Sequence, residues 1–130
     1  NKALKFVSRD VHLRVETVES RFTGRYQTGA VICLPVAHGA GNYHAGERAL
    51  AELRDEDRIA FRYCRADGSA GGNPNGSADD IAGVLSANRR VLGMMPLAER
   101  RTDPVQRDPV LGSSAGAGIF GSLVETVTTA

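Results

Sequence analysis

Apolar and polar residues alternate from position 11 to 16, with Val11, Leu13 and Val15 apolar and His12, Arg14 and Glu16 polar. A two-residue period sends alternate side chains to opposite faces, so this segment predicts a half-buried strand. Gly24 and Gly29 bracket a connecting loop. Residues 30–37 then form an unbroken apolar run, Ala-Val-Ile-Cys-Leu-Pro-Val-Ala. Its short length and β-branched content predict a strand buried on both faces. A glycine-punctuated loop, His38-Gly39-Ala40-Gly41-Asn42-Tyr43, ends the run.

The period changes over residues 45–54, where good helix formers surround Leu50 and Leu53 at i,i+3 spacing, predicting a helix. Residues 59–64 (Ile-Ala-Phe-Arg-Tyr-Cys) return to a strand pattern. Asp67 to Ser77 is rich in Gly, Ser and Asn and contains the turn sequence Asn73-Pro74-Asn75-Gly76. Ile81–Ser86 and Val91–Met95 predict two short strands, separated by Ala87-Asn88-Arg89-Arg90 at hairpin length. Residues 100–112, with Pro104 and Pro109, predict a loop. A closing helix carries Ile119, Phe120, Leu123, Val124 and Val127 on one stripe, expected to face the core. Gly116, Gly118 and Gly121 weaken it by about 1 kcal/mol each relative to Ala, so packing must hold it. Five strands and two helices in alternating order predict an α/β fold with a mixed sheet, and too few helices to complete a doubly wound one.

At 130 residues, 42% hydrophobic and 24% charged, the chain has the size and composition of one globular domain, taken as 1–130. With four Phe, three Tyr and no Trp, the core must be largely aliphatic. Sixteen Lys/Arg against fifteen Asp/Glu leave a net charge of +1, with the signs interspersed. A nucleic-acid or polybasic membrane role therefore has no support. No apolar run reaches the roughly 18–20 residues that span a bilayer, and no leader pattern opens the chain. Two cysteines, Cys33 and Cys64, are too few for a disulfide scaffold or a zinc site. Both lie in apolar stretches, as in a reduced, cytoplasmic protein.

Chemistry is sparse by spacing alone. His38 and His44 flank the glycine loop without metal-ligand partners at useful distance, so loop histidines are the plainer interpretation. Asp79 and Asp80 are adjacent, and neighbouring side chains in extended backbone diverge, which favours solvated turn charges over a shared acid–base site. Cys64 ends an apolar strand with no helix N-terminus after it to lower its pKa, so it is expected to be a core residue rather than a nucleophile. The glycine-rich stretch 68–76 lacks the Gly-Lys-Ser/Thr ending of a phosphate loop.

Three segments taken in order carry more. They are Pro35-Val36-Ala37-His38-Gly39-Ala40-Gly41-Asn42-Tyr43, then Asn73-Pro74-Asn75-Gly76-Ser77 with Ile81-Ala82-Gly83, then Asn88 with Val91-Leu92-Gly93-Met94-Met95-Pro96. Leu4-Lys5-Phe6-Val7 and Phe61-Arg62-Tyr63-Cys64 fit before and between them. Over residues 1–96 the chain resembles the C-terminal part of the glutaminase subunits of phosphoribosylformylglycinamidine synthase, which are class I glutamine amidotransferases of purine biosynthesis. The tail matches through its final helix.

The resemblance implies a flavodoxin-like fold lacking its N-terminal half, L-glutamine as substrate, and no metal or cofactor. It also implies a cysteine nucleophile, a histidine base oriented by a glutamate, and a synthetase partner that takes up the ammonia. In the family, base and orienter sit in a Met-Pro-His-Pro-Glu run. Here that run reads Met95-Pro96-Leu97-Ala98-Glu99, so Leu97 holds the histidine position and Glu99 remains as orienter. Ala40 stands for a family glutamate and Ser8 for a common cysteine. The nucleophile elbow belongs to the half outside the resemblance. The chain is therefore expected to be inactive alone, with His38, Gly39 and Gly41 as the partner-facing or glutamine-site loop. An amidotransferase half without its cover is also expected to self-associate or depend on a partner. The alternative is a non-catalytic module docking on a synthetase.

Overall fold

In the computed structural model, residues 1–103 and 115–128 are described. Five strands form one sheet: β1 (Val7–Val15), β2 (Val31–His38), β3 (Ile59–Cys64), β4 (Ile81–Leu85) and β5 (Leu92–Met94). Among the described residues there are also two helices, α1 (Glu47–Asp55) and α2 (Ala117–Thr128), and two short 3-10 turns, Ala78–Asp80 and Ala98–Arg101. The predicted strand at 59–64 has these bounds, and the other strands and α1 agree within a few residues. Of the loop expected at 100–112, residues 100 and 101 belong to the Ala98–Arg101 turn and residues 104–112 lie outside the described residues.

The sheet order is β2-β1-β3-β4-β5. All four pairings among the described residues are antiparallel, so the mixture of strand directions expected within the sheet is not seen. The α/β character is real, and its form explains the difference. β2 and β3 are both antiparallel to β1 and hence parallel to one another. α1 makes the crossover between them, as the order of elements requires. Because β1 occupies the place between the two strands, no parallel pair forms.

The alternation of β1 is realised directly. Val11, Leu13 and Val15 are buried with Ile32, Leu34 and Val36 of β2 and with Phe61 and Tyr63 of β3. This face is covered by Val18, Phe22 and Tyr26 of the β1–β2 connection, by Ala98 and Ala115, and by Ile119 of α2. On a second, smaller cluster, α1 sets Leu50 and Leu53 against Ile59 and Ile81. Burial of two leucines contributes roughly 1.5–3 kcal/mol each, which holds a helix whose N-cap, Gly46, makes no side-chain capping bond.

The polar positions of β1 meet an ion-pair ladder. Arg14 and Arg62 face each other across β1 and β3, and Glu16 lies 2.8 Å from Arg14 and 3.5 Å from Arg62. Arg62 and Arg54 converge on Asp79 at 2.9 and 2.8 Å. Asp80 accepts a hydrogen bond from Asn73 Nδ2 at 2.8 Å. The expectation of simply solvated turn charges at Asp79 and Asp80 is thus corrected: both are tied down, because their positive-φ turn aims the carboxylates back at β3 and the Asn73 loop. Partial burial works to raise the Asp79 pKa, but the hydrogen bonds and charges of Arg54 and Arg62 outweigh it and the net shift is downward. A depressed carboxylate stabilises the fold above its unfolded pKa, ordinarily 3.8, and loses that contribution as pH falls through the lower folded value. Asp79→Asn should therefore flatten the acid limb of the melting temperature against pH, as followed by circular dichroism.

The closing helix forms, but its predicted core stripe is corrected. Ile119 is buried, whereas Phe120, Val124 and Val127 are 44%, 61% and 75% exposed. The small residues turn inward instead. Arg25 N–H donates to Ser122 Oγ, and the Tyr26 hydroxyl donates to the Ala115 carbonyl. A Cβ added at Gly118 would lie 2.4 Å from the Tyr26 ring, and one at Gly121 would lie 2.2 Å from the Arg25 guanidinium. The glycines that weaken the helix by propensity are the ones that let these two side chains cross it. No helix among the described residues is long and apolar enough to cross a membrane.

Candidate functional site

The loop after β2 and the last strand of the sheet face each other across a cleft of about 270 Å³. One wall is Ala40–Tyr43; the other is Ile81–Val84 of β4 with Gly93–Met95. Apart from Asn42, the lining is backbone and largely apolar side chain, with Tyr43 the one titratable group among the described residues. Such a cleft can seat and orient a small ligand, but among the described residues it has no thiol, imidazole or carboxylate in its lining.

The loop wall is held by a chain of amides. Asn1 Nδ2 donates to the carbonyls of Lys5 (2.6 Å) and His38 (2.9 Å). Asn1 Oδ1 lies 2.9 Å from His38 Nδ1 and accepts the Gly41 N–H at 3.1 Å. On the far side of the ring, His38 Nε2 lies 3.4 Å from Asn75 Nδ2. Asn75 Oδ1 accepts from Ser77 N–H and Oγ–H, and Ser77 Oγ in turn accepts the Tyr43 N–H. Asn73 closes the turn, its Oδ1 accepting from the backbone of Asn75, Gly76 and Ser77. His38, Asn75 and Ser77 are all buried. Sequence spacing marked Asn73–Ser77 as a turn; that it ties the loop from below was visible only as a run of Asn and Ser. Asn1 could not have been found, since it reaches the loop from 37 residues away.

Gly41 is required by close approach. A Cβ there would fall 2.5 Å from the His38 ring, which the two asparagines prevent from yielding. Gly39 is exposed beside Phe6, where a Cβ would meet the ring at an ordinary 3.7 Å. Tyr63 is fully buried and its hydroxyl makes no hydrogen bond of ordinary geometry, although the Asn75 side chain is close enough to act on it. Burial pushes its pKa up to about 12 against the lowering effect of Asn75.

The Leu97–Glu99 segment lies just past the cleft. Met95 lines the cleft, Pro96 is buried, and Leu97 N–H donates to the Pro35 carbonyl of β2 at 2.9 Å. Leu97 caps the Ala98–Arg101 turn, and Glu99 is exposed on it. The structure therefore brings Ala40–Tyr43 and Gly93–Met95 together at the cleft, with His38 buried behind the first wall, while Gly39, Leu97 and Glu99 do not line it. His44 is exposed. Cys64 is buried, and burial raises its thiol pKa; Cys33 is buried on β2, and neither forms a disulfide. Neither cysteine sits at a strand-to-helix elbow, where a thiolate would be favoured. Among the described residues, no three His, Cys, Asp or Glu side chains converge as a metal site.

A profile of the CobB/CobQ-like glutamine amidotransferase domain matches residues 1–124. The phosphoribosylformylglycinamidine synthase subunit PurQ of Rhodospirillum rubrum is 54% identical over 98% of this chain and 54% of its own length. That of Ruegeria pomeroyi is 48% identical over 100% of this chain and 53% of its own length. A solved structure of PurLQS from Thermotoga maritima superposes with a TM-score of 0.74 at 30% identity, over 98% of this chain and 50% of the matched chain. The chain thus spans about half the length of the curated relatives it matches. By a match that runs through the whole sheet and the cleft loop and into α2, the chain belongs to the CobB/CobQ-like glutamine amidotransferase domain family.

Proposed function

We propose that residues 1–130 form a partial amidotransferase domain of a glutamine-hydrolysing subunit, one that supplies ammonia for amidating formylglycinamide ribonucleotide in purine biosynthesis. The chain by itself does not hydrolyse glutamine. The observation that carries this is the cleft, built from the segments that define the family resemblance and followed two residues on by Leu97. Glutamine would be seated against the Ala40–Tyr43 wall of the His38–Tyr43 loop, with Gly41 giving close access to the backbone. Glu99 keeps the orienting position, but leucine at 97 carries no proton for it to orient. The partner is the synthetase subunit, and the setting is cytoplasmic.

Covalent hydrolysis of an amide needs a thiolate, a base and an oxyanion hole acting as a unit. Both cysteines here are buried on strands, so restoring the base alone restores nothing. Ammonia release from L-glutamine should stay at the buffer level for this chain and equally for Leu97→His. Turnover by either one would overturn the inactivity.

A second reading, a non-catalytic module docking on a synthetase, is favoured by exposed apolar residues. Phe120, Val124 and Val127 line one side of α2, and Leu4 and Phe6 are 93% and 67% exposed. Bare apolar surface of this kind also supports self-association or dependence on a partner. Size-exclusion chromatography decides: alone the chain should elute as a multimer, and mixed with the synthetase subunit it should co-elute. Failure to co-elute at micromolar concentration would sink the docking reading.

A further inference from the structure

We propose that His38 is the positioning residue of the cleft: its neutral ring, carrying the proton on Nδ1, pins the loop whose residues Ala40–Tyr43 form one wall, and protonation releases that wall. The inference deepens the proposed use of the cleft and takes its functional meaning from it, while its geometry stands separately.

The tautomer follows from the two asparagines. Asn1 is fixed in orientation because its Nδ2 donates to two carbonyls, those of Lys5 and His38. Its Oδ1 can therefore only accept, and His38 Nδ1 must be the donor across 2.9 Å. Asn75 is fixed in the opposite sense, because its Oδ1 accepts from Ser77 twice. Its Nδ2 faces Nε2, which must be the acceptor. One neutral tautomer satisfies both contacts. A second proton would set Nε2–H against the Asn75 amide N–H, two donors in a buried place.

The loop depends on this directly. The oxygen of Asn1 that takes the His38 proton also takes the Gly41 N–H, and Gly41 lines the cleft. Gly41 also packs so closely on the ring that no side chain fits between them. Tilting the ring therefore disturbs both the loop's anchor and its packing. From Ser77 the relay continues to the N–H of Tyr43, at the other end of the same wall.

The surroundings favour the neutral ring. Burial lowers the His38 pKa below its usual value, against the raising effect of a backbone hydrogen bond. The side chains that hold the ring, Asn1 and Asn75, are uncharged amides. The titratable side chain sharing Asn75 with it is Tyr63 of β3, which stays neutral across the range concerned. Because the folded pKa is depressed, the neutral latch is intact above the ordinary histidine value of about 6.5 and is lost as pH falls through the folded one.

The test reads the ring and the loop, not glutamine turnover, so it can fail while the function proposed for the cleft stands, and the reverse. In 15N-histidine-labelled chain, long-range proton–nitrogen spectra near neutral pH should show His38 as the Nδ1–H tautomer. As pH falls, the protection of the Gly41 amide from hydrogen exchange should drop about tenfold, in step with the His38 titration, the size expected for one lost hydrogen bond. His38→Asn keeps a donor at the Nδ1 position and should hold that protection flat with pH. His38→Leu should lose it at every pH, while amides of the central strand β1 stay protected and report an intact fold. An Nε2–H ring, a charged ring at neutral pH, or Gly41 protection that ignores the titration would each overturn the proposal. If His38→Leu does not fold, the titration of the unmodified chain still decides.

Discussion

Gly116→Ala should destabilise the chain by about 2–4 kcal/mol, in the range of substitutions that force a backbone to move. The methyl group would sit 1.9 Å from the Ala98 carbonyl oxygen, which is main chain and has no rotamer to yield. Gly116 N–H donates to the Arg101 carbonyl, so both ends of the Ala98–Arg101 turn meet the entry to α2 at this residue. Ala98 and Ala115 on either side are buried in the main core. Relief of the clash must therefore lift α2 away from the turn that carries Glu99. Urea denaturation of the variant beside an exposed control such as Gly46→Ala, where a Cβ meets nothing, measures the difference. A loss under about 1 kcal/mol would mean that α2 can shift without the core noticing.

Phe61→Ala should lose about 3–5 kcal/mol, the usual range for emptying a buried aromatic site. Phe61 is fully buried at the centre of the sheet. Its ring meets Tyr26 edge-on, with centroids 6.4 Å apart and planes at 83°. Across the sheet it fills the space that Gly83 leaves open, where a Cβ would lie 3.0 Å from the ring. The β3–β4 register slips on both sides of Phe61, so the ring also fixes how β4 lies on β3. β4 and Met94 form a wall of the cleft, and the variant should loosen that wall as well as lower the denaturation midpoint. Phe61→Leu should recover more than half of the loss, because it restores most of the volume.

The strands and α1 were legible because their signals are local. Val11, Leu13 and Val15 alternate whatever else the chain does, and an unbroken run such as 30–37 has no other soluble use than burial. The resemblance was legible for a related reason: spacing within each glycine- or asparagine-punctuated segment is a property of the chain. It led to the family, to the cleft loop around His38, Gly39 and Gly41, and to Leu97 and Glu99.

What the pattern missed depends on partners distant along the chain. The stripe Phe120, Val124, Val127 reads as a core face by periodicity, yet Tyr26 and Arg25 take the opposite, glycine-lined side of α2. Asp79 and Asp80 read as solvated, yet Arg54, Arg62 and Asn73 reach them. The histidine latch needs Asn1 and Asn75, each 37 positions from His38.

By itself the sequence determined the segments, their order and the family they belong to, since hydrophobic period, turn chemistry and motif spacing are written along the chain. Only the tertiary structure decided that β1 lies between β2 and β3 and that α2 packs by its small face. It also decided that the cleft has a largely apolar lining, with a buried, two-sided histidine behind one wall. The physical reason is common to all three. Which of two possible faces is buried, and which proton a ring keeps, is fixed by the groups that arrive from elsewhere in the chain.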